Sequence, residues 1–277
     1  MTDENVAKDP LLGASWRREL NRVDAGFVFA ATGGKYTALA HQAAESVKRI
    51  HPEMPIDLFT DVEVNTPIYD QVHQLERAWF RPKFEAIARS RFERTVYLDS
   101  DLVVVADVSD LFWLLGKYDL AAAHVQSRNA SWSTTQFAEE LPNAFPQVNS
   151  GVMAVRKNER TRKLMEDVAE AIAKHQLKMD QAALRQAIWR SDVSLYVIPP
   201  EYNVRGHRGI VGETASSSAP RILHSSKFHK KMKGNEPPSP GRIYGFWTLK
   251  SVRYSIARDK QLTEKPIPTS LWNFLKS

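Results

Sequence analysis

Two aspartates separated by one residue, Asp99 and Asp101, directly follow the apolar run Thr95-Val96-Tyr97-Leu98. Side chains alternate between the two faces of a strand, so residues at i and i+2 point the same way. Two carboxylates therefore project together where the strand ends, which is unfavourable unless a cation lies between them. Carboxylate oxygens are ligands that Mg²⁺ and Mn²⁺ prefer. The spacing predicts a divalent-cation site inside an otherwise apolar segment.

Two other interpretations of this acidic pair remain open from the residues alone. A phosphatase of the haloacid dehalogenase type also has a hydrophobic strand and two aspartates one residue apart, the first being its nucleophile. Its motif usually lies near the N-terminus and is followed by a second acidic cluster. Here other strands precede the pair, and no acidic doublet follows the later ones. The second interpretation is a strand-end turn in which the aspartates only cap backbone groups.

Strand and helix patterns alternate along the chain. Apolar runs predict strands at 26–32, 56–61, 95–98, 120–124, 152–155 and 194–198. Helical spacing of apolar residues predicts helices at 36–50, 82–91, 159–175 and 180–189. This alternation is typical of the α/β class with a mostly parallel sheet. Ligands of such sheets bind beyond the carboxyl ends of the strands. The polar or small residues at or near those ends are Thr32, Asp61, Asp99, His124 and Gly151.

A glycine turn, Gly33-Gly34-Lys35, follows the first predicted strand. A Walker A loop needs a glycine separated by four residues from its Gly-Lys pair, and Ser or Thr directly after the lysine. Phe29 and Tyr36 occupy those places, so the turn is not a Walker A loop. Because glycine has no side chain, a ligand can still approach this backbone closely. The residues leave nucleotide binding at the turn open.

The order and spacing of several segments resemble the retaining glycosyltransferase family that includes glycogenin and bacterial lipooligosaccharide galactosyltransferases (glycosyltransferase family 8). The matching segments are Lys83, 16 residues before Asp99; Val96-Tyr97-Leu98-Asp99-Ser100-Asp101, with Asp110-Leu111-Phe112; Asn149-Ser150-Gly151-Val152; Asp180-Gln181; Leu223-His224; and Lys230. The resemblance spans residues 26–230. It departs from the family where Lys227 replaces a glycine and Lys231-Met232 replace Pro-Trp.

This resemblance implies a GT-A fold, which is a Rossmann-like, mostly parallel sheet flanked by helices, and transfer of a sugar from a nucleotide-diphosphate donor, usually a UDP-sugar. The implied ligands of Mn²⁺ or Mg²⁺ are Asp99, Asp101 and His224. The implied donor-binding residues are Ala31, Thr32, Tyr36, Asp61, Lys83, Asp99, Ser100, Asn149, Ser150, Gly151 and Lys230. The alternatives are the Mg²⁺-dependent phosphatase of the haloacid dehalogenase type and a non-catalytic nucleotide-sugar-binding protein.

Asp180 and Gln181 are the candidate catalytic residues by the same resemblance. The family transfers with retention of configuration, and a double displacement would need a carboxylate nucleophile beneath the anomeric carbon. Glutamine is a poor nucleophile. We therefore expect transfer on the same face of the sugar, with the leaving phosphate taking the proton of the acceptor hydroxyl.

Composition limits the remaining possibilities. The 277 residues include no cysteine, which excludes disulfides, thiolate zinc sites and cysteine nucleophiles. No run approaches the roughly 18 apolar residues of a membrane span, and residues 1–5 do not resemble a signal peptide. We therefore expect a cytoplasmic protein. We divide the chain into an N-terminal segment (1–23), a transferase domain (24–230) and a C-terminal extension (231–277).

Positive charge is concentrated near the C-terminus. From Pro220 onward 12 Lys and Arg residues stand against three acidic residues, and the extension also carries the aromatic residues Phe246, Trp247, Tyr254, Trp272 and Phe274. Such a region attracts an anionic membrane surface, nucleic acid or a phosphorylated ligand, or is a solvated helical face. We expect peripheral contact with the inner face of the membrane and no nucleic-acid partner. The acceptor, whether saccharide, lipid-linked or protein, and the oligomeric state stay open.

Overall fold

The structure, a computed structural model, describes residues 24–76, 81–206, 217–262 and 267–276. The N-terminal segment predicted at 1–23 lies outside these residues. The strands are β1 (Ala25–Ala31), β2 (Ile56–Thr60), β3 (Gln71–Gln74), β4 (Arg94–Leu98), β5 (Leu102–Val104), β6 (Leu120–His124), β7 (Val148–Arg156), β8 (Leu195–Ile198), β9 (Val204–Arg205) and β10 (Ile222–His224).

The α-helices of the described residues range in length from four to 18 residues. They are α1 (Gly33–Ile50), α2 (Lys83–Arg89), α3 (Asp110–Leu114), α4 (Ser131–Thr134), α5 (Glu159–His175), α6 (Gln181–Arg190), α7 (Lys227–Lys230), α8 (Pro240–Tyr244), α9 (Phe246–Arg258) and α10 (Thr269–Lys276). A 3₁₀ helix covers Pro200–Asn203.

The main sheet has seven strands in the order β3-β2-β1-β4-β7-β6-β8. Its neighbouring strands run parallel except that β7 is antiparallel to both β4 and β6. The predicted α/β class with a mostly parallel sheet is confirmed. Because β7 runs in the opposite direction, its first residues, 148–151, lie at the edge where β4 and β6 end. This reversal brings Asn149-Ser150-Gly151 beside Asp99.

A second sheet continues from the acidic pair. Its strand order is β5-β10-β9, and β10 runs antiparallel to β5 with His224 opposite Leu102. The backbone N–H of Ser225 also donates to the carbonyl oxygen of Asp101 at 2.9 Å. His224, 123 positions from Asp101 along the chain, is thereby fixed next to Asp101.

The core lies on both faces of the main sheet, since β1 alternates its side chains between them. Phe27 and Phe29 pack on the face that α1 covers, while Val28 packs on the opposite face with Leu164 of α5. These residues are fully or almost fully buried. Helices on both faces hold the sheet rigid, so its carboxyl edge is a fixed platform for polar side chains.

Helices α8 to α10 share a third apolar cluster with the rest of the chain. Leu249 and Val252 of α9 and Leu271 of α10 pack in it with Leu39 of α1 and Val103 of β5. The described part of the C-terminal extension is therefore packed against the transferase region. Among the described residues, the helices are too short or too polar to cross a bilayer.

Most predicted elements are present, with shifted ends. Helix α1 begins at Gly33, three residues earlier than predicted, and β7 begins at Val148 rather than at residue 152. Strands β3, β5, β9 and β10 were not predicted, because each has only two to four residues and shows no clear periodicity. Short strands depend on their pairing partners more than on their own sequence.

Candidate active site

Three ligand-bearing side chains cluster at the carboxyl edge of the main sheet. One oxygen or nitrogen atom from each of Asp99, Asp101 and His224 lies within 4.8 Å of the others. His224 Nε2 is 2.8 Å from Asp101 Oδ1 and 3.9 Å from Asp99 Oδ2. The end of β4 supplies the carboxylates and the end of β10 supplies the imidazole. Two carboxylates and one imidazole are a donor set that fits Mn²⁺ or Mg²⁺.

The two oxygens of Asp99 have different surroundings. Oδ1 accepts a hydrogen bond from the Tyr97 hydroxyl at 3.0 Å and lies 2.8 Å from the Lys83 ammonium nitrogen. Oδ2 is the oxygen that faces His224. Since Oδ1 is engaged by a hydroxyl and an ammonium group, Oδ2 is the oxygen available to a cation.

An asparagine that the sequence analysis did not identify orients His224. Asn203 Oδ1 lies 2.8 Å from His224 Nδ1, and Asn203 Nδ2 donates to Asn149 Oδ1 at 2.9 Å. The second contact fixes which end of the Asn203 amide faces the ring, so Nδ1 carries the proton and Nε2 points to the carboxylates. An imidazole held in this way is ready to ligate a metal through Nε2.

Gly151 lies against the same cluster. A Cβ atom at this position would come within 2.3 Å of His224 Cε1 and 2.9 Å of Asp99 Oδ2. The backbone N–H of Gly151 also donates to Asn149 Oδ1 at 2.9 Å. The sequence element Asn149-Ser150-Gly151 therefore has a steric reason for its glycine, since any side chain would displace the residues that form the cluster.

Lys83 connects the cluster to Asp180. Its Nζ atom is 2.8 Å from Asp99 Oδ1 and 3.6 Å from Asp180 Oδ2, and it donates to the Ser150 carbonyl and hydroxyl oxygens at 3.3 and 3.2 Å. The Ser150 hydroxyl donates to Asp180 Oδ2 at 2.7 Å. Lys83, Ser150 and Asp180 are all buried. The network ties the start of α2, the start of β7 and the start of α6 together.

Ionisation of the buried carboxylates follows these contacts. Burial would raise the pKa of Asp101, but His224 and His229 outweigh it and hold that pKa well below its usual range. Burial would likewise raise the pKa of Asp180, and Lys83 and Arg81 lower it below its usual value. Both groups are therefore carboxylates at neutral pH, as ligands or hydrogen-bond acceptors must be.

A cavity of about 400 Å³ opens beside the cluster. Six of the predicted donor-binding residues line it, namely Ala31, Thr32, Tyr36, Lys83, Asp99 and Ser100. Asp101 also lines it, together with the basic residues Arg81 and His229. This volume is in the range of small-molecule sites. The cavity joins the turn after β1 to the acidic pair, which is where a nucleotide and its diphosphate would lie in the predicted arrangement.

Three other predicted site residues, Asp61, Lys230 and Gln181, are not among those that line this cavity. Asp61 Oδ1 accepts the backbone N–H of Gly33 at 2.6 Å and so holds the turn at the start of α1. Lys230 is exposed on α7. Gln181 is buried at the start of α6, and its Oε1 has no hydrogen-bond partner among the described residues.

His229 is a second residue that the sequence analysis did not identify. Its Nε2 lies 3.4 Å from Asp101 Oδ2, and its ring centroid is 6.3 Å from that of Tyr36. Because Phe228 is buried, the short helix α7 turns His229 toward the cavity and leaves Lys230 in solvent. The sequence signal was the adjacent His-Lys pair at 229–230, of which the resemblance to the family used only the lysine.

Comparison with known proteins identifies the family of this chain. The sequence profile of the family described as Nucleotide-diphospho-sugar transferase matches residues 37–232. That range contains the acidic pair, the Asn-Ser-Gly element and His224. A search of curated protein sequences gave no match.

Several solved structures share the fold. The glycosyltransferase GlyE of Streptococcus pneumoniae TIGR4 superposes with a TM-score of 0.56 at 19% identity, over 83% of this chain and 60% of the GlyE chain. The galactosyltransferase LgtC, in complex with donor and acceptor sugar analogs, gives 0.53 at 12% identity over 90% of this chain and 100% of LgtC. The bifunctional glycosyltransferase WbbM gives a TM-score of 0.51 at 13% identity, over 92% of this chain and 52% of the WbbM chain. The chain thus spans less than two thirds of GlyE, and these likenesses describe the fold.

Proposed function

Since this chain belongs to the nucleotide-diphospho-sugar transferase family, we propose that it is a divalent-metal-dependent, retaining glycosyltransferase that uses a UDP-sugar donor and a hydroxyl acceptor. The observation that carries the proposal is the cluster of Asp99, Asp101 and His224, whose two aspartates line the cavity. Neither a phosphatase nor a strand-end turn accounts for the buried imidazole held against the two carboxylates. Family membership also favours the transferase over both.

In this proposal Asp99 Oδ2, an oxygen of Asp101 and His224 Nε2 hold Mn²⁺ or Mg²⁺. A cation bound there offsets the negative charge that develops on the leaving diphosphate. Arg81 and His229 also line the cavity and add positive charge near the phosphates. We assign the diphosphate to the part of the cavity between these residues and the acidic pair.

The base and ribose are assigned to the turn after β1. Ala31, Thr32 and Tyr36 line that part of the cavity, and the Tyr36 side chain is 43% exposed. An exposed aromatic ring in a cavity wall offers a face on which a nucleobase can stack. Asp61 supports this assignment indirectly, because it fixes the turn through the Gly33 N–H.

The sugar of the donor is assigned to the start of β7 and α6. Asn149 Oδ1 already accepts two hydrogen bonds, from Gly151 and Asn203, so its Nδ2 is the group that can donate to a sugar hydroxyl. Asp180 is held by Ser150 and Lys83, and the remaining lone pairs of its carboxylate can accept a hydrogen bond from another sugar hydroxyl. Such contacts orient the anomeric carbon toward the acceptor.

The same contacts support transfer on one face of the sugar. As a nucleophile, Asp180 would have to leave the Ser150 hydroxyl and the Lys83 ammonium group, which hold it in a buried position. Gln181 has no carboxylate. We therefore propose that the acceptor hydroxyl attacks from the side of the leaving group and passes its proton to the departing phosphate oxygen.

The test begins with a thermal-shift screen of UDP, GDP and their sugars, with and without Mn²⁺. We expect stabilisation by a uridine nucleotide that depends on the metal. The variant Asp101→Ala should keep the wild-type fold and lose metal-dependent release of nucleoside diphosphate. The matched control Asp192→Ala changes an exposed aspartate on the loop before β8 and should retain turnover.

Other outcomes would contradict the proposal. Undiminished turnover in Asp101→Ala would exclude the metal site. Hydrolysis of a simple phosphomonoester, without any nucleotide requirement, would indicate a phosphatase instead. Metal-dependent donor binding with neither hydrolysis nor transfer, across many acceptors, would indicate a binding protein.

A further inference from the structure

Helix α9 exposes large aromatic side chains to solvent. The exposed fractions of Phe246, Trp247 and Tyr254 are 52%, 75% and 61%. Its opposite side, with Leu249 and Val252, is buried in the apolar cluster that it shares with α1. The helix is therefore packed against the protein on one side and exposes a large aromatic surface to solvent on the other.

The exposed side of α9 is also basic. Lys250, Arg253 and Arg258 are exposed on it, and the helix contains no acidic residue. At about 100° per residue these cations and the three aromatic residues fall within an arc of roughly 140°. The Lys250 ammonium lies 5.1 Å from the Trp247 ring centroid, and the Arg258 guanidinium lies 5.3 Å from that of Tyr254. Charge and aromatic surface are thus interleaved on one face.

We propose that this face, formed by Phe246, Trp247, Lys250, Arg253, Tyr254 and Arg258, docks the protein on an anionic lipid bilayer. Tryptophan and tyrosine are stable at the boundary between lipid headgroups and acyl chains, where the ring is buried and its polar group stays hydrated. Lysine and arginine on the same helix bind the anionic headgroups. Both contributions are available at once to a helix that lies flat on the membrane surface.

The shape of the face favours a membrane over nucleic acid. Proteins that bind single strands combine their aromatic residues with a positively charged groove that follows the phosphate backbone. Here the aromatic side chains project outward from a single helix whose other side is packed on the protein. A planar surface can contact all three rings together, whereas a strand would have no groove to follow.

The docking face is connected to the candidate active site. Tyr244, two residues before α9, packs its ring 6.0 Å from that of Phe228, and Phe228 precedes His229 in α7. Docking through α9 would therefore place the bilayer near the helix that contributes His229 to the cavity. The proposal concerns membrane binding itself and does not depend on the catalytic assignment.

Vesicle flotation tests the proposal. The probe is phosphatidylcholine vesicles with and without 30% phosphatidylglycerol, used with the full chain. We expect binding to the anionic vesicles only, reduced by added salt because exposed charges are screened. The variants Trp247→Ala/Tyr254→Ser and Lys250→Glu/Arg258→Glu should each lower the partition coefficient about tenfold or more.

Matched controls separate the face from general surface properties. Trp113→Ala removes a tryptophan that is 46% exposed on α3, and Lys163→Glu/Lys174→Glu reverses two exposed charges on α5. Both should float like the wild type, and the α9 variants should keep the wild-type melting temperature. Absence of wild-type flotation, equal losses in the control variants, or α9-dependent retention of RNA in place of vesicles would each overturn the proposal.

Discussion

Asn203 Oδ1 lies 2.8 Å from Nδ1 of His224, and Asp101 Oδ1 lies 2.8 Å from Nε2 of the same ring. The imidazole is thus held between an amide and a carboxylate. Because Asn203 also donates to Asn149, its orientation depends on the strand that we assign to the donor sugar. One asparagine therefore couples the proposed metal ligand to the proposed sugar site.

Asn203→Ala should weaken metal-dependent nucleotide binding, because His224 loses the partner that fixes its tautomer and ring orientation. Loss of such an outer partner typically costs about 10- to 100-fold in metal affinity. Calorimetric titration of Mn²⁺ in the presence of UDP measures the effect. Asn203→Asp, which keeps an acceptor for Nδ1, should recover part of it, and Gln126→Ala, which removes an exposed neighbour of Asn203, should change little. Unaltered Mn²⁺ affinity in Asn203→Ala would refute this role.

Gly151→Ala should abolish the metal dependence while the main sheet remains folded. The added methyl group would meet His224 Cε1 at 2.3 Å and Asp99 Oδ2 at 2.9 Å, so both ligands must move. Thermal shift with UDP and Mn²⁺ measures the loss of the metal response, and circular dichroism checks that the fold is kept. Asp192→Ala, at an exposed position on the loop before β8, is the control and should keep the wild-type response. A normal Mn²⁺ response in Gly151→Ala would contradict the close approach.

Lys83→Met should lower the free energy of unfolding by about 3 kcal/mol at neutral pH, since removing one partner of a buried ion pair leaves the other charge uncompensated. Lys83 and Asp180 are 5% and 3% exposed, so solvent screens this loss poorly. Urea unfolding without metal measures it. The double variant Lys83→Met/Asp180→Asn should regain part of the stability, because the unpaired carboxylate is removed. If the double variant is no more stable than Lys83→Met, Asp180 is not the group that Lys83 stabilises.

A pH-dependent contribution to stability is expected from Asp119, which directly precedes β6. Burial would raise the pKa of Asp119, but Arg156, Ser194 and Arg160 outweigh it and hold that pKa well below its usual range. Its contribution is therefore complete above the unfolded pKa of about 3.9 and is lost as the pH falls below that value.

Asp119→Asn should accordingly lower the free energy of unfolding at pH 7, by about 2 kcal/mol from the lost charged hydrogen bonds. Its unfolding free energy should also fall less steeply than that of the wild type as the pH is lowered from about 5 to about 3. Urea unfolding at several pH values compares the two slopes, with Asp192→Asn as the exposed control. Parallel slopes would show that Asp119 does not carry the pH dependence.

Much of the fold follows from local pattern. The buried strands β1, β2, β4 and β6 and helices α1 and α5 were predicted from apolar spacing, because a strand or helix that buries one face needs that spacing. The short strands β3, β5, β9 and β10 were not, since two to four residues carry too little periodic signal. Yet β10 is the strand that supplies His224 to the cluster.

The candidate site, like the fold, could be predicted only in part from the sequence. The acidic pair could be read as a cation site because residues two apart on a strand end share a face. The resemblance to a known family then added Lys83, Asn149 and His224. Asn203 was missed because it belongs to no pattern along the chain, and His229 was missed because the resemblance used only the adjacent Lys230. Both enter the site through contacts with residues distant in sequence.

The sequence by itself therefore determined which residues could do chemistry and that strand β4 would present two carboxylates at its end. The tertiary structure decided which residues lie next to these two carboxylates. The antiparallel direction of β7 brought Ser150 and Gly151 to the carboxyl edge, and the pairing of β10 with β5 placed His224 beside Asp101. The physical reason is that side-chain alternation is a local property of the backbone, whereas strand direction and pairing are selected by packing of the whole core.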